Sequence, residues 1–289
     1  MAIPASRSAS TSAASSSRLD HFLATAARIG YAARAVVYFL VGGLAMLAAL
    51  GRGGGSTDSR GALLTLLGTG FGSVLLFIIA VGLVGYVVWH LFQAIMDTDR
   101  HGRDAKGLAV RAGLLVSAAT HSALAVWAFV TAVTGVSASD DSGGSGGFES
   151  WLMQQPYGSW LVAAVGLCIV GAGIAHVVKG ATGGYEKWLK AAGEKMNWIR
   201  PICSVGLVAR GIVFLIIGWL FLYAGMTVSP QEAGGLREAF QWIRELPFGP
   251  WLFLLMAIGL VCFGGYSLIQ AIYRRVDTEQ ETARLQDSA

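Results

Sequence analysis

Residues 28–50, RIGYAARAVVYFLVGGLAMLAAL, decide how the rest of the chain is read. The run is long enough to cross a bilayer, for which about 20 apolar residues suffice, yet it carries Arg34 inside its apolar stretch. An arginine within a membrane helix costs roughly 2.5–3.5 kcal/mol on insertion scales, so it marks a candidate site by default. The pattern returns at residues 204–225, SVGLVARGIVFLIIGWLFLYAG, with Arg210 in the matching place.

The whole chain shares this character. Of 289 residues 54% are hydrophobic and 13% charged, against about 25% charged in an ordinary soluble domain, too apolar for a water-soluble fold. Thirty-nine glycines fit membrane helices, where small residues let backbones approach closely. The pI near 9.1 comes from cations in loops beside apolar spans, which excludes a nucleic-acid face and leaves anionic lipid headgroups as partners of those loops. Cys168, Cys203 and Cys262 fall within apolar runs without a CxxC, so neither a disulfide framework nor a zinc site is indicated.

Six spans emerge, at 29–50, 71–96, 108–133, 160–178, 202–226 and 251–273. Fifteen of the 21 Lys and Arg lie before residue 29, after residue 273 or in the loops at 97–111 and 179–200. By the positive-inside rule this makes both termini cytoplasmic and the protein a multi-pass plasma-membrane protein. A Ser/Ala-rich tail (1–24) is expected to be disordered. Three two-helix repeats follow at 25–100, 105–185 and 198–276, and then a tail at 277–289.

The repeats are visible in the residues. A shift of 176 lays Gly30, Arg34 and Gly42 on Gly206, Arg210 and Gly218. A shift of 177 lays Phe71, Gly72, Gly82, Leu83, Val84, Gln93 and Ala94 on Phe248, Gly249, Gly259, Leu260, Val261, Gln270 and Ala271. The middle unit follows shifts of 83 and 86, where Arg34 becomes Ser117, Gln93 becomes Lys179 and His90 stays His176. Hairpins of one orientation relate about an axis along the membrane normal, which predicts an all-α, pseudo-threefold bundle of six helices. The segment LREAFQWIRELPFGPW places Leu236, Phe240, Ile243 and Leu246 on one helical face, predicting a short interfacial helix on the outer side.

The Arg-x-Gly-Tyr-x-x-Arg stretch at 28–34, the aromatic-Gly pairs at 71, 157 and 248, and Gly-Leu-Val-x-aromatic at 82–86 and 259–263 resemble the bacterial membrane family called domain of unknown function 1206. The resemblance implies three consecutive pairs of transmembrane helices over about residues 25–275 and brings no activity with it.

Depth along the helices predicts a cytoplasmic polar site of Arg34 with Gln93 and Asp97, and of Arg210 with Gln270, each pair within its own repeat. Snorkelling of both arginines to the headgroups is the simpler alternative. His90, His121, His176 and Lys179 form a secondary set. Histidines on facing helices can ligate a b-type haem, and His90 with His176 is the pair to consider; hydrogen bonding to a neighbouring helix is the plainer role, with no cofactor. No P-loop, HExxH, GxSxG or paired membrane carboxylates occur, so no enzyme is expected. Two functions stay open: a conduit or carrier for a small ion or solute with a basic vestibule, and an accessory subunit packing against lipid, another copy or a larger membrane complex. A haem-binding membrane protein is a third.

Overall fold

The computed structural model describes residues 6–54, 58–99, 102–135, 151–191, 193–227 and 236–274, with side chains from 21 onward. Among them every regular element is helical: α1 (Ser6–Ala49), α2 (Ser59–Leu67), α3 (Gly72–Met96), α4 (Ala105–Thr134), α5 (Gly158–Ala181), a 3₁₀ turn (Glu186–Trp188), α6 (Lys195–Thr227), α7 (Leu236–Glu245) and α8 (Gly249–Tyr273). Six of these, α1, α3, α4, α5, α6 and α8, are long and apolar enough to cross a membrane.

The first helix begins at Ser6, so most of the stretch expected as a disordered tail is a continuation of α1. The alanines there are strong helix formers and extend a helix already nucleated by the apolar span. Residues 1–5, the acidic linker at 140–149 and the C-terminal tail at 277–289 lie outside the described residues.

Glycines set the pairing of helices, and they do so twice in the same way. A Cβ on Gly30 would overlap the backbone of Tyr86 in α3, and one on Gly206 would overlap the backbone of Phe263 in α8. Gly82 against Ala33 and Gly259 against Ala209 repeat the second contact of each hairpin. Contacts between repeats also recur. Gly42 of α1 meets Val261 of α8, and its counterpart Gly218 of α6 meets Val170 of α5, two equivalent valines.

The helices pack in the order α4, α3, α1, α8, α6, α5. This is the order of a threefold ring of three hairpins with one interface missing, for no packed interface joins α4 to α5, the two helices of the middle repeat. The glycines record the same event: Gly113, the counterpart of Gly30, and Gly171, the counterpart of Gly85, have nothing within 4 Å of an added Cβ. The most apolar windows of α4 and α5 are each only 17% buried, whereas those of the other four spans are 39–50% buried.

On the side away from the termini each hairpin closes with an aromatic-Gly step. Phe71, Tyr157 and Phe248 are exposed, and the glycine after each tucks under a carbonyl of the preceding turn, Leu66, Met153 or Arg244, where a Cβ would collide. Tyr157 and Phe248 reach that step in the left-handed region, at φ 62° and 61°. The short helices cap this side. Ala62 and Leu63 of α2 and Phe240 and Ile243 of α7 are buried, joining Leu76, Val41, Ala128, Phe253 and Leu260 in one apolar core, and Ala239 is buried beside them. Leu236 and Leu246 are only half-buried, and Arg237, Arg244 and Glu245 stay exposed, so the expected two-faced helix is present. Trp151, Trp160, Trp242 and Trp251 are exposed at this level, as an interfacial belt requires.

Candidate functional site

The half of the bundle nearer the termini holds the polar residues. Arg34 projects from α1 into the space between α3 and α8. Its Nε donates to Ser267 Oγ at 3.1 Å, Nη1 to Tyr86 Oη at 2.6 Å and Nη2 to Gln270 Oε1 at 2.8 Å. The guanidinium also lies 4.9–5.2 Å from the ring centres of Tyr31, Tyr86 and Phe263. With 8% of its surface exposed, Arg34 is held inside the bundle rather than snorkelling. Every acceptor is neutral, so the positive charge remains uncompensated. A guanidinium has five N–H donors, and two are left over.

The pairings expected within each repeat are corrected, since Gln270, expected as the acceptor of Arg210, is taken by Arg34. Arg34 bonds across repeats to Gln270, while Gln93 of its own repeat turns to the next loop and donates through Nε2 to Asp99 Oδ2 at 2.7 Å. The physical reason is the packing order: α1 packs on α8 as well as on α3, and the acceptor at the correct depth comes from the neighbouring hairpin. Asp97 is occupied elsewhere, closing α3 in the left-handed region and accepting from the Gly102 amide at 2.8 Å.

Arg210 occupies the equivalent slot in the third repeat and is built differently. By rotation about the pseudo-threefold axis, the partners Tyr86, Ser267 and Gln270 of Arg34 become Phe263, His176 and Lys179. The hydroxyls and the amide oxygen are thus replaced by a plain ring, an imidazole and a cation. Arg210 is boxed by three aromatic rings, Tyr38, Phe214 and Phe263, at 4.4–4.7 Å, and none of the described residues hydrogen-bonds to it. Cation–π contacts of this kind contribute about 0.5–2 kcal/mol each and leave all five N–H donors open. Phe263 touches both guanidinium groups, which places them within about 10 Å of each other.

Toward the termini the chamber has a polar floor. Arg274, just beyond α8, pairs with Asp99 through Nη2 at 2.9 Å, with both side chains largely buried. Arg274 also lies over Tyr31 and Trp89. Its backbone bridges Leu189, and the Lys190 amide donates to Tyr273 O at 2.7 Å, tying the 182–191 loop to the end of α8. That loop is anchored by Tyr185, whose hydroxyl donates to Arg200 O and meets Ser204 Oγ; burial pushes its phenol pKa up. Lys179, near the end of α5, is half-buried and holds the register position that Gln93 and Gln270 hold in the other two repeats. Trp89 Nε1, Gln93 Oε1 and Arg274 Nε are buried here without a partner.

The histidines fall into two groups. His90 and His121 stack on the ring of Tyr86 at 3.9 and 4.5 Å, and Tyr86 Oη also meets Ser117 Oγ at 3.3 Å. His176 lies across the chamber against Phe214 and Phe263. In all three, Nδ1 faces the carbonyl four residues earlier, at 2.8–3.1 Å. A carbonyl only accepts, so Nδ1 carries the proton and Nε2 presents a lone pair. His90 and His176, the pair considered for haem, share no ring contact and belong to different aromatic groups. Among the described residues no three His, Cys, Asp or Glu side chains gather as a metal site.

The cluster therefore holds Arg34, Arg210, Lys179 and Arg274, with Asp99 paired to Arg274. Tyr38, Tyr86, Ser267, Phe263, Asp99 and Arg274 complete it and were not among the residues expected from sequence. A signal existed for two of them: Tyr86 and Phe263 are the closing aromatics of the Gly-Leu-Val-x-aromatic motif.

Comparison with known proteins matches this architecture segment by segment. The family described as Domain of Unknown Function (DUF1206) matches three stretches, residues 29–97, 112–183 and 205–274, one per hairpin. The chain is 33% identical over 264 residues to a protein of Bacillus subtilis (strain 168) named "Uncharacterized protein YxxB", covering 88% of this chain and 92% of that one. No solved structure matches. Each matched stretch spans one hairpin, and this multi-pass membrane protein belongs to the DUF1206 family.

Proposed function

We propose that the protein binds an anion in the chamber between Arg34 and Arg210 and serves as a carrier for it. One observation supports this most directly: Arg210, half-buried within a membrane bundle, has no hydrogen-bond acceptor among the described residues, while Lys179 stands where the equivalent slot has a glutamine. Unpaired charge in a low-dielectric interior is costly, and an anionic ligand is the partner that would offset it. Arg34 and the floor Arg274 add to the field, and such a field concentrates anions in a cleft with apolar walls.

The packed apolar half beyond the chamber argues against a permanently open conduit and fits one closed state of an alternating carrier. The reading is non-catalytic, and it assigns no cofactor.

Counterflow of chloride, phosphate and small carboxylates in proteoliposomes tests it. Uptake that is abolished in Arg210→Gln and reduced in Lys179→Gln, with both variants folded, supports the carrier. Absence of flux for every anion, together with co-purification in a larger complex, would instead establish the accessory role.

A further inference from the structure

Resting on the anion-binding reading above, we infer that the anion is the phosphate headgroup of an anionic phospholipid, admitted sideways from the bilayer between α4 and α5 with its acyl chains left in the membrane. Phosphate is the shared chemistry, and the route selects the lipid over the free ion.

Packed elements stand at both axial ends of the polar cluster. On the far side α2 and α7 pack Ala62, Leu63, Phe240 and Ile243 into the apolar core. On the terminal side the Arg274–Asp99 pair and the 182–191 loop, pinned to α8 at Leu189 and Lys190, form a floor. The side is open, because α4 and α5 do not pack on one another. Gly113 and Gly171 identify the inner edges of this opening. Their counterparts Gly30 and Gly85 press against the partner helix of their hairpin, whereas these two meet nothing within 4 Å. A ligand using this door arrives through lipid and must be an amphiphile.

The chemistry at the door suits a phospholipid head. One jamb carries Ser117 and His121 on α4, the other His176 and Lys179 on α5, and Arg210 and Arg34 stand behind them. The guanidinium and ammonium groups donate to phosphate oxygens. The Nε2 lone pairs of His121 and His176 accept from hydroxyls, so a headgroup bearing both a phosphate and hydroxyls, as phosphatidylglycerol does, meets donors and acceptors of the required kinds. The flanks of both helices expose apolar side chains to the acyl region, among them Val116, Val126, Leu167 and Ile174.

The test is native mass spectrometry of the full chain from a nonionic detergent with added phosphatidylglycerol, phosphatidylcholine or inorganic phosphate. Wild type should retain one phosphatidylglycerol at least about tenfold better than phosphatidylcholine. Arg210→Gln should lose that preference, and so should Gly171→Trp, which narrows the door at a position with no contacts to disturb; thermal melting confirms that both are folded. Equal retention of the two lipids, or retention untouched by both substitutions, overturns the inference. Arg210-dependent binding of inorganic phosphate without lipid preference also overturns it while leaving the anion reading intact, and loss of both removes the two together. A dimer that Gly171→Trp dissociates, with no bound lipid, would show that a second copy fills the door.

Discussion

Arg34 and Arg210 occupy the same slot in two copies of one hairpin, and their surroundings could hardly be treated more differently. Arg34 has Tyr86, Ser267 and Gln270 as acceptors, while Arg210 has Phe263 in place of the tyrosine and His176 and Lys179 at the other two positions. Both lie at similar depth and both incur the same kind of desolvation. Only Arg34 finds hydrogen-bond acceptors among the described residues. The first socket is therefore a structural clamp joining α1, α3 and α8, and the second is a cation waiting for a partner. The middle repeat supplies a third variant in which Ser117 replaces the arginine and the hairpin itself has opened.

The comparison breaks most violently at the glycines. Gly30→Leu drives a side chain into the Tyr86 backbone, and the hairpin cannot close around it; we expect a loss above about 4 kcal/mol and no monodisperse protein on size exclusion. Removing the charges separates the sockets next. Arg34 is buried and hydrogen-bonded whereas Arg210 is half-buried with ring contacts, so the difference between Arg34→Leu and Arg210→Leu reports the hydrogen bonds together with the deeper burial. Arg34→Leu should melt lower than Arg210→Leu by about 2–4 kcal/mol, because Gln270 Oε1 loses its donor while nothing bonded is lost at Arg210. Equal melting of the two would show that the sockets are not distinct.

Smaller changes sharpen the same contrast. Tyr86→Phe makes the first socket resemble the second, at a cost of about 1 kcal/mol for one hydrogen bond, and leaves Arg34 with a further free donor. Gly113→Leu should change stability by less than about 0.5 kcal/mol, since it faces open space where Gly30 faces backbone. A melting point for Gly113→Leu as low as that of Gly30→Leu would mean that the middle hairpin is closed after all.

Much of the fold was legible in the sequence because it rests on periodic features: apolar runs of bilayer length, glycines at fixed offsets and aromatic-Gly steps. The opening between α4 and α5 was not, since Gly113 and Gly171 are still glycines and a residue type does not reveal that its partner has moved away. The site was half legible. Arg34, Arg210 and Gln270 stood out by charge, amide and register, but the pairing of Arg34 with Gln270 depends on which hairpins are neighbours around the ring, a long-range fact. Asp99 and Arg274 sit in loops where nothing local distinguishes them from Asp97 or Arg275. Expecting Asp97 as the acceptor was reasonable from depth along α3. The left-handed turn at Asp97 commits its carboxylate to the Gly102 amide and leaves Asp99 to reach the chamber floor.

The central claim is that the Arg210 socket takes an anion that the Arg34 socket does not need. It is tested most directly by melting purified wild type, Arg210→Gln and Tyr86→Phe in mixed micelles as phosphatidylglycerol replaces phosphatidylcholine at constant total lipid and ionic strength. A ligand present at 100 times its dissociation constant stabilises by about 2.7 kcal/mol, so wild type and Tyr86→Phe should melt progressively higher as phosphatidylglycerol rises, with Arg210→Gln unmoved. A rise of the same size in Arg210→Gln would contradict the account.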